Sequence, residues 1–322
     1  MRVGLDVSPL VQTRAGTARY IEGIDSIGDV ELVPLGRRGS GRIATVYRDA
    51  WWYPVALPRL ARRQRLDVLH CPTFRGPISP PRMPLVVTVH DLAVLRHPET
   101  FNRWTRHYSR SCVPRVARAA SRIIAVSEFT KHDLVELLGT PPEKVTVIPN
   151  GVADVFSAEG PAADGDYVLT VGTLEPRKNL ERVQEGARMA GVELRVVGAR
   201  GWGGVEAAGW SGRVSDDELA RLYRGAKCVV YASLYEGFGL PIAEAMACGT
   251  PVVTSRGGAT EETAGGAAVL VDPYDPAAIA GGIAEAVARR DELRRLGLER
   301  ARVFSWQAAA RATADVYREV AR

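Results

Sequence analysis

The sequence is short of lysine, of cysteine and of long apolar runs. Only four of its 42 basic residues are lysines, and its four cysteines (Cys71, Cys112, Cys228, Cys248) are scattered over 322 positions. No CxxC pair and no histidine at ligand spacing accompanies them, so a zinc site and a disulfide framework are set aside, and reduced, buried thiols are expected. No apolar run approaches the roughly 18 residues that cross a bilayer. The first residues, MRVGLDVSPL, hold Asp6 inside their short apolar stretch and read as a first strand, not as a signal peptide. The expected location is the cytoplasm. No GxGxxG follows that first strand, and GARGWGG (Gly198 to Gly204) fits the spacing poorly, which counts against a nicotinamide dehydrogenase. No basic-aromatic recognition motif appears, so nucleic acid is not an expected partner.

What is present fits a globular protein of two domains, with 46% hydrophobic and 25% charged residues. The net charge of +5 is unevenly spread. Residues 1–150 hold 22 basic against 13 acidic residues, whereas residues 151–322 hold 20 against 24. Between Arg37 and Arg122 stand 17 arginines and only four acids. Such a field favours an anionic partner, whether a phosphate-bearing substrate or an acidic membrane surface. A general preference for arginine on solvated faces is the competing explanation.

Short β-branched runs alternate with helical patterns along the whole chain. VGLDV, VELVP, DVLHC, LVVTVH, RIIAV and KVTVI read as strands of a first half, and YVLTV, LRVVG, CVVYA, PVVTS and AVLVD as strands of a second. Amphipathic segments at 128–138, 179–190, 216–226, 276–289 and 306–321 lie between or after them. Apolar strands separated by helices imply parallel sheets covered on both faces. The rhythm pauses at NGVADVFSAEGPAADGD (150–166), which reads as a linker. The expected fold class is therefore α/β, with two Rossmann-like doubly wound domains facing each other across a cleft. Ligands of such sheets sit at the carboxyl ends of the strands.

One strand–helix switch carries most of the chemistry. In SLYEGFGLPIAEAMACGTPVV (233–253), Glu236 and Glu244 frame a Gly-Phe-Gly turn, and Pro241 suits a helix start. Ile242, Ala245, Met246 and Gly249 share one face, so Glu244 is expected to project from the other. Gly237 and Gly239 let the backbone approach a ligand, and the helix N-terminus beyond them is a ready anion site. Helix-dipole compensation is the plainer account of Glu244.

The stretch EGFGLPIAEAMACGTPVV resembles the glutamate–seven residues–glutamate motif of retaining glycosyltransferases of family 4, which have the GT-B fold. The resemblance implies that Glu236 lies near the donor sugar and that Glu244 binds the ribose of a sugar nucleotide. The amides of Gly237, Phe238 and Gly239, with Leu240 beside them, would contact the sugar and diphosphate. VGTLEPRKNL (171–180) resembles the loop that brings basic residues to the diphosphate. Arg177 can bind phosphate bidentately and Lys178 supplies a compact charge, so both would stabilise a departing nucleoside diphosphate. Many relatives carry an arginine where this chain has Thr173, which is left as a hydrogen-bond donor. VVGARG, with Gly198, and SGRVSDDEL, with Val214, resemble segments that hold the base. Ser215 and Glu218 also fit a capping box.

In the first half, LVVTVHDL ends a strand at His90, where relatives place a histidine facing donor sugar and acceptor. SPLVQTRAGTARYIEGI, with Gly16, matches the family's glycine loop after the first strand. AVSEFTKHDL and VIPNGV match as wall and hinge entry. The last segment, 306–322, resembles the terminal helix that crosses back onto the first domain. The domains implied are 1–156, for the acceptor, and 157–305, for the donor.

The resemblance thus implies transfer of a hexose from GDP-mannose or a UDP-hexose to a glycan, lipid-linked or phosphate-bearing acceptor. Retention would follow from same-face attack, since no enzymatic nucleophile stands out. Closure about 150–166 would exclude water. No metal and no other cofactor is expected, because no DxD-like cluster is found to hold one and Asp216-Asp217 has a helix-start reading. The basic first domain, and the Trp51-Trp52 pair ahead of LARRQR, could touch the inner face of a membrane; core packing is the alternative for the tryptophans. A sugar-nucleotide epimerase of the same fold and a non-catalytic sugar-nucleotide-binding protein are the rival readings.

Overall fold

A computed structural model describes residues 1–11, 16–25, 28, 30–36, 39 and 41–322. Residues 12–15 of the expected glycine loop, and Arg37 and Arg38 of the basic stretch, lie outside the described residues. The chain forms two compact units, Met1–Gly151 with Trp306–Arg322, and Val152–Ser305.

The first unit runs β1 (Arg2–Asp6), α1 (Gly16–Ile24), β2 (Glu31–Leu35), α2 (Arg42–Tyr47), α3 (Leu57–Arg63), β3 (Val68–Cys71) and β4 (Leu85–Val89). It continues through α4 (Ala93–Arg96), α5 (Arg103–Ala119), β5 (Arg122–Ala125), α6 (Glu128–Leu138) and β6 (Val145–Val147). The six strands form one parallel sheet in the order β2-β1-β3-β4-β5-β6.

The second unit runs β7 (Tyr167–Val171), α7 (Leu180–Met189), β8 (Glu193–Val197), α8 (Asp216–Gly225), β9 (Val229–Tyr231) and α9 (Leu240–Ala247). It ends with β10 (Val252–Ser255), α10 (Gly258–Ala264), β11 (Val269–Val271), α11 (Pro276–Ala288) and α12 (Arg290–Ala301). Its parallel sheet has the order β11-β10-β9-β7-β8. The last helix, α13 (Trp306–Val320), belongs to the first unit.

The continuous apolar strands are explained by burial on both faces. Successive residues of a strand point to opposite sides, so Val87 and Ile123 enter one core of the first unit while their neighbours Val86 and Ile124 enter another. The second unit repeats this, with Leu169 and Val229 on one face and Val168 and Val230 on the other. α13 covers one face of the first sheet, placing Ala310, Ala314 and Tyr317 beside Tyr20 and Val86.

Two expectations change in detail. The stretch 150–166 is largely coil, yet it is fastened to the second unit. Phe156 is buried edge-on against Tyr223, and Arg224 donates to the carbonyls of Ser157 and Pro161. The tryptophan pair divides: Trp52 is buried, whereas Trp51 is exposed with the Arg59 guanidinium over its ring. All four cysteines are free thiols. Among the described residues no helix is long and apolar enough to cross a membrane.

Candidate active site

Lys178 and Glu236 meet because β7 and β9 are neighbours in the sheet, so the loops leaving their carboxyl ends run side by side. The β7 loop turns through one short helical turn at Pro176–Lys178 and closes on Asn179, whose left-handed backbone has φ 59°. The Asn179 amide donates to the carbonyls of Ala232 and Pro273, and the Leu234 amide donates to the carbonyl of Arg177. These bonds lock one loop to the other.

The locked loops hold a compact charge cluster. Lys178 Nζ lies 2.5 Å from Glu236 Oε1 and 2.7 Å from the Tyr231 hydroxyl, which itself donates to Glu236 Oε1. Arg177 donates from Nη1 to Glu236 Oε2 at 2.9 Å and to the Tyr235 carbonyl, and its Nη2 pairs with Glu175 at 2.8 Å. Burial acts most strongly on Glu236 and would raise its pKa. Lys178 and Arg177 together outweigh burial and hold the carboxyl down at about 2. Burial is also the largest influence on Lys178 and lowers its ammonium pKa, against the pull of Glu236. Two cations and two carboxylates thus balance, with both cations held in fixed positions.

The turn beyond Glu236 is built on Gly239, whose φ of 99° places it in the left-handed region. It precedes α9 with no side-chain cap, and Pro241 occupies the first turn. Phe238 is pinned by the Thr263 hydroxyl, which donates to its carbonyl at 2.6 Å, and by an edge-on contact with Phe304. Gly237 is buried in the same turn and Leu240, half-buried, opens the helix. Glu244 is buried, and Tyr223 of α8 donates its hydroxyl to Glu244 Oε2 at 3.0 Å.

The base-binding candidates lie one strand further. Gly198 directly follows β8 at φ 155°, and a Cβ placed there would stand 1.9 Å from the Gly172 carbonyl oxygen. Gly172 in turn faces the aliphatic stem of Lys178. Gly198→Ala is therefore expected to destabilise the protein by about 3 kcal/mol, read as a lowered melting temperature; an unchanged melting temperature would contradict the close approach. Thr173 is half-buried, with its methyl toward Gly201. Val214 packs against the second unit's core, and the Ser215 hydroxyl accepts from the Glu218 amide.

In the first unit, His90 follows β4, and its Nε2 donates to the Pro72 carbonyl at 3.0 Å. A carbonyl only accepts, so Nε2 carries the proton and Nδ1 is left as an acceptor when the ring is neutral. Burial lowers the His90 pKa against the opposing influences of Asp91 and that hydrogen bond. The ring stands edge-on to Tyr20 at 5.0 Å. Gly16 opens α1.

Behind His90, His70 is fully buried between the Tyr317 hydroxyl at 2.6 Å and the Thr88 hydroxyl at 2.8 Å, and burial lowers its pKa to about 3. Below pH 6.5 the unfolded chain takes up a proton that the folded chain refuses until about pH 3. Stability should therefore fall as pH drops through that window, by up to about 1.4 kcal/mol per unit from this one group. Denaturant titrations between pH 5 and 8 should show a flatter slope for His70→Gln; parallel slopes would contradict the assignment.

Tyr231 and Tyr223, which hold Glu236 and Glu244, went unmarked in the sequence reading. The signal for Tyr231 was its place at a carboxyl strand end; for Tyr223 no local signal exists, since only helix packing brings it to Glu244. One DxD was also passed over, at Asp164-Gly165-Asp166 in the coil before β7. Its Asp166 pairs with Lys227 at 2.5 Å. Among the described residues no group of three or more His, Cys, Asp or Glu side chains could hold a metal.

The two parallel α/β units, the second with a buried cation–carboxylate cluster at its strand ends, have the GT-B fold. The chain belongs to glycosyltransferase family 4. Residues 3–155 match the model described as Glycosyltransferase Family 4, and residues 153–302 match Glycosyl transferases group 1. O-antigen chain mannosyltransferase B of Escherichia coli is 31% identical over 284 residues, covering 78% of this chain and 74% of that protein. The MMP alpha-(1->4)-mannosyltransferase of Mycolicibacterium hassiacum is 31% identical over 300 residues, covering 80% and 71%. Among solved structures, sucrose-phosphate synthase from Thermosynechococcus elongatus has a TM-score of 0.79 at 19% identity, over 99% of this chain and 98% of that one. Anabaena HepE in complex with UDP-glucose has a TM-score of 0.76 at 18% identity, over 99% and 100%. These two share the fold.

Proposed function

We propose that this glycosyltransferase moves a hexose from a nucleotide diphosphate sugar, GDP-mannose or a UDP-hexose, to a glycan or lipid-linked acceptor, with retention at the anomeric carbon. The observation that carries the reading is the Arg177–Lys178–Glu236 cluster beside the Phe238 turn. As the bond from the sugar to the diphosphate breaks, negative charge builds on the leaving phosphate oxygens. In this reading Lys178, Arg177 and the amides around Gly239 receive it without a metal. Glu236, charged at any ordinary pH, orients the two cations and accepts from sugar hydroxyls. Glu244 is assigned the ribose, with Tyr223 holding it in place. His90 Nδ1 accepts from a hydroxyl of the sugar or acceptor. The acceptor hydroxyl attacks from the face the diphosphate leaves, and its proton passes to a phosphate oxygen.

Mannosyltransferases among the relatives favour GDP-mannose, while the UDP-glucose bound by HepE keeps a UDP-hexose in view. A thermal-shift panel of nucleotide sugars tests the reading, because a tight donor stabilises by mass action. One nucleotide sugar should raise the melting temperature with chelator present. The anomeric configuration of the product then tests retention. No shift from any nucleotide sugar would overturn the reading.

A further inference from the structure

A chain of buried polar side chains joins the sheet of the first unit to its last helix. His70 of β3, Thr88 of β4, Tyr20 of α1, and Thr313 and Tyr317 of α13 are all buried. Their hydrogen bonds run in one direction. Among the described residues the Tyr317 hydroxyl has a single partner, His70 Nδ1 at 2.6 Å, so Tyr317 donates and Nδ1 accepts. His70 Nε2 then carries the ring's proton and donates to the Thr88 hydroxyl at 2.8 Å. Thr88 in turn donates to the Tyr20 hydroxyl, also at 2.8 Å. Tyr20 is left to donate to the Thr313 hydroxyl, whose own proton goes to the Ala309 carbonyl at 2.7 Å. Every group in the chain is matched. The opposite direction would leave the buried Tyr317 proton without an acceptor, at a cost of about 1–3 kcal/mol.

The chain ends on a ring that is also held from its sides. Tyr20 stands edge-on to His70 at 6.2 Å, to Trp306 at 6.3 Å and to His90 at 5.0 Å. Gly23 and Gly151 make room for Trp306, since a Cβ added at either would stand 2.2 Å from it. The hydrogen bond from His90 Nε2 to the Pro72 carbonyl fixes one nitrogen but not the tilt of the ring. The edge of Tyr20 supplies the second constraint, and with it the direction of Nδ1. Apolar groups of the same shape could fill this space at nearly equal stability. What a fully satisfied polar chain adds is one arrangement in place of several.

We propose that Tyr20 is a positioning residue for the transfer reaction: it sets the tilt of the His90 ring, and the Tyr317–His70–Thr88 chain holds Tyr20 in place. The proposal rests on the role given to His90 in the glycosyl-transfer reading.

Nitrogen-15 NMR of the five imidazoles reads the His90 ring without any substrate, its signals being assigned with His90→Gln. Above neutral pH the wild type should show His90 in the Nε2–H form alone. Tyr20→Leu should bring the Nε2–H and Nδ1–H forms into exchange; unchanged His90 signals would overturn the proposal. Turnover is read as release of nucleoside diphosphate from the nucleotide sugar selected by thermal shift, with water as acceptor. Tyr20→Leu should lower it roughly ten- to thirty-fold at saturating donor, as small misplacements do, with the donor dissociation constant unchanged. Tyr20→Phe keeps the ring and loses the tether, so the loss should shrink to about three-fold, within the worth of one hydrogen bond. In a His90→Ala background Tyr20→Leu should change turnover by less than about two-fold, because nothing is left to position. Equal losses in both backgrounds overturn the proposal. So does a like loss from Val316→Ala, which thins the same core and should lower only the melting temperature. A donor thermal shift with unchanged His90 signals overturns the positioning and leaves the transferase intact. Altered His90 signals without any donor shift support the positioning and overturn the donor reading.

Discussion

Lys178→Ala is expected to lower glycosyl transfer by roughly two to three orders of magnitude, the usual cost of removing one fixed group that stabilises developing negative charge. The aliphatic stem of Lys178 lies beside Gly172 and its ammonium over the ring of Tyr231, a buried residue of the second unit's core. The ammonium bonds Glu236 and Tyr231. Removal does leave buried Glu236 short of one cation, and breaking a buried pair costs stability in its own right. The double variant Lys178→Ala with Glu236→Gln separates the two effects. Neutralising the carboxyl should restore much of the melting temperature, because Glu236 then has no unmatched charge. Transfer should stay low, because the cation is still missing. Recovery of transfer in the double variant would mean that Lys178 served only to balance Glu236.

Glu244→Ala should raise the donor dissociation constant by roughly 10- to 100-fold, as expected for a lost charged hydrogen bond, while turnover at saturating donor changes little. The expectation depends on Glu244 being held by Tyr223 and not by solvent. Tyr223→Phe removes only that holding bond and should weaken donor binding less than Glu244→Ala does. Equal losses would mean that the carboxylate acts by packing α8 against α9, with no contact to the ribose. Glu244→Gln, which keeps an acceptor for Tyr223, should fall between the two. Calorimetric titration of the nucleotide sugar gives all three values.

Much of the architecture was legible because parallel sheets write a plain signal. Each of the eleven apolar runs forms a strand whose ends lie within one residue of the run's, and they divide into sheets of six and five. The helices at 128–138 and 216–226 were legible from period and caps, with Ser127 and Ser215 accepting from the third residue onward. The placement of Lys178 beside Glu236 was not visible in spacing. Fifty-eight residues separate them, and only the strand order, with β7 next to β9, brings their loops together. Glu244 shows the limit of periodicity. A helical wheel separates the face on the sheet from its opposite, but it cannot say that a second helix covers the opposite face. The sequence showed an excess of arginine, whereas the partners of each arginine depend on which acids the fold brings near.

Calorimetric titration of GDP and UDP into wild type and Lys178→Ala, in chelator, addresses the capture of a diphosphate by the second unit most directly. It needs neither the sugar nor the acceptor. One nucleoside diphosphate should bind the wild type and bind the variant at least ten-fold more weakly, the loss of about one charged contact. Equal affinity for both proteins would show that the diphosphate is held elsewhere and that the Lys178–Glu236 pair is structural.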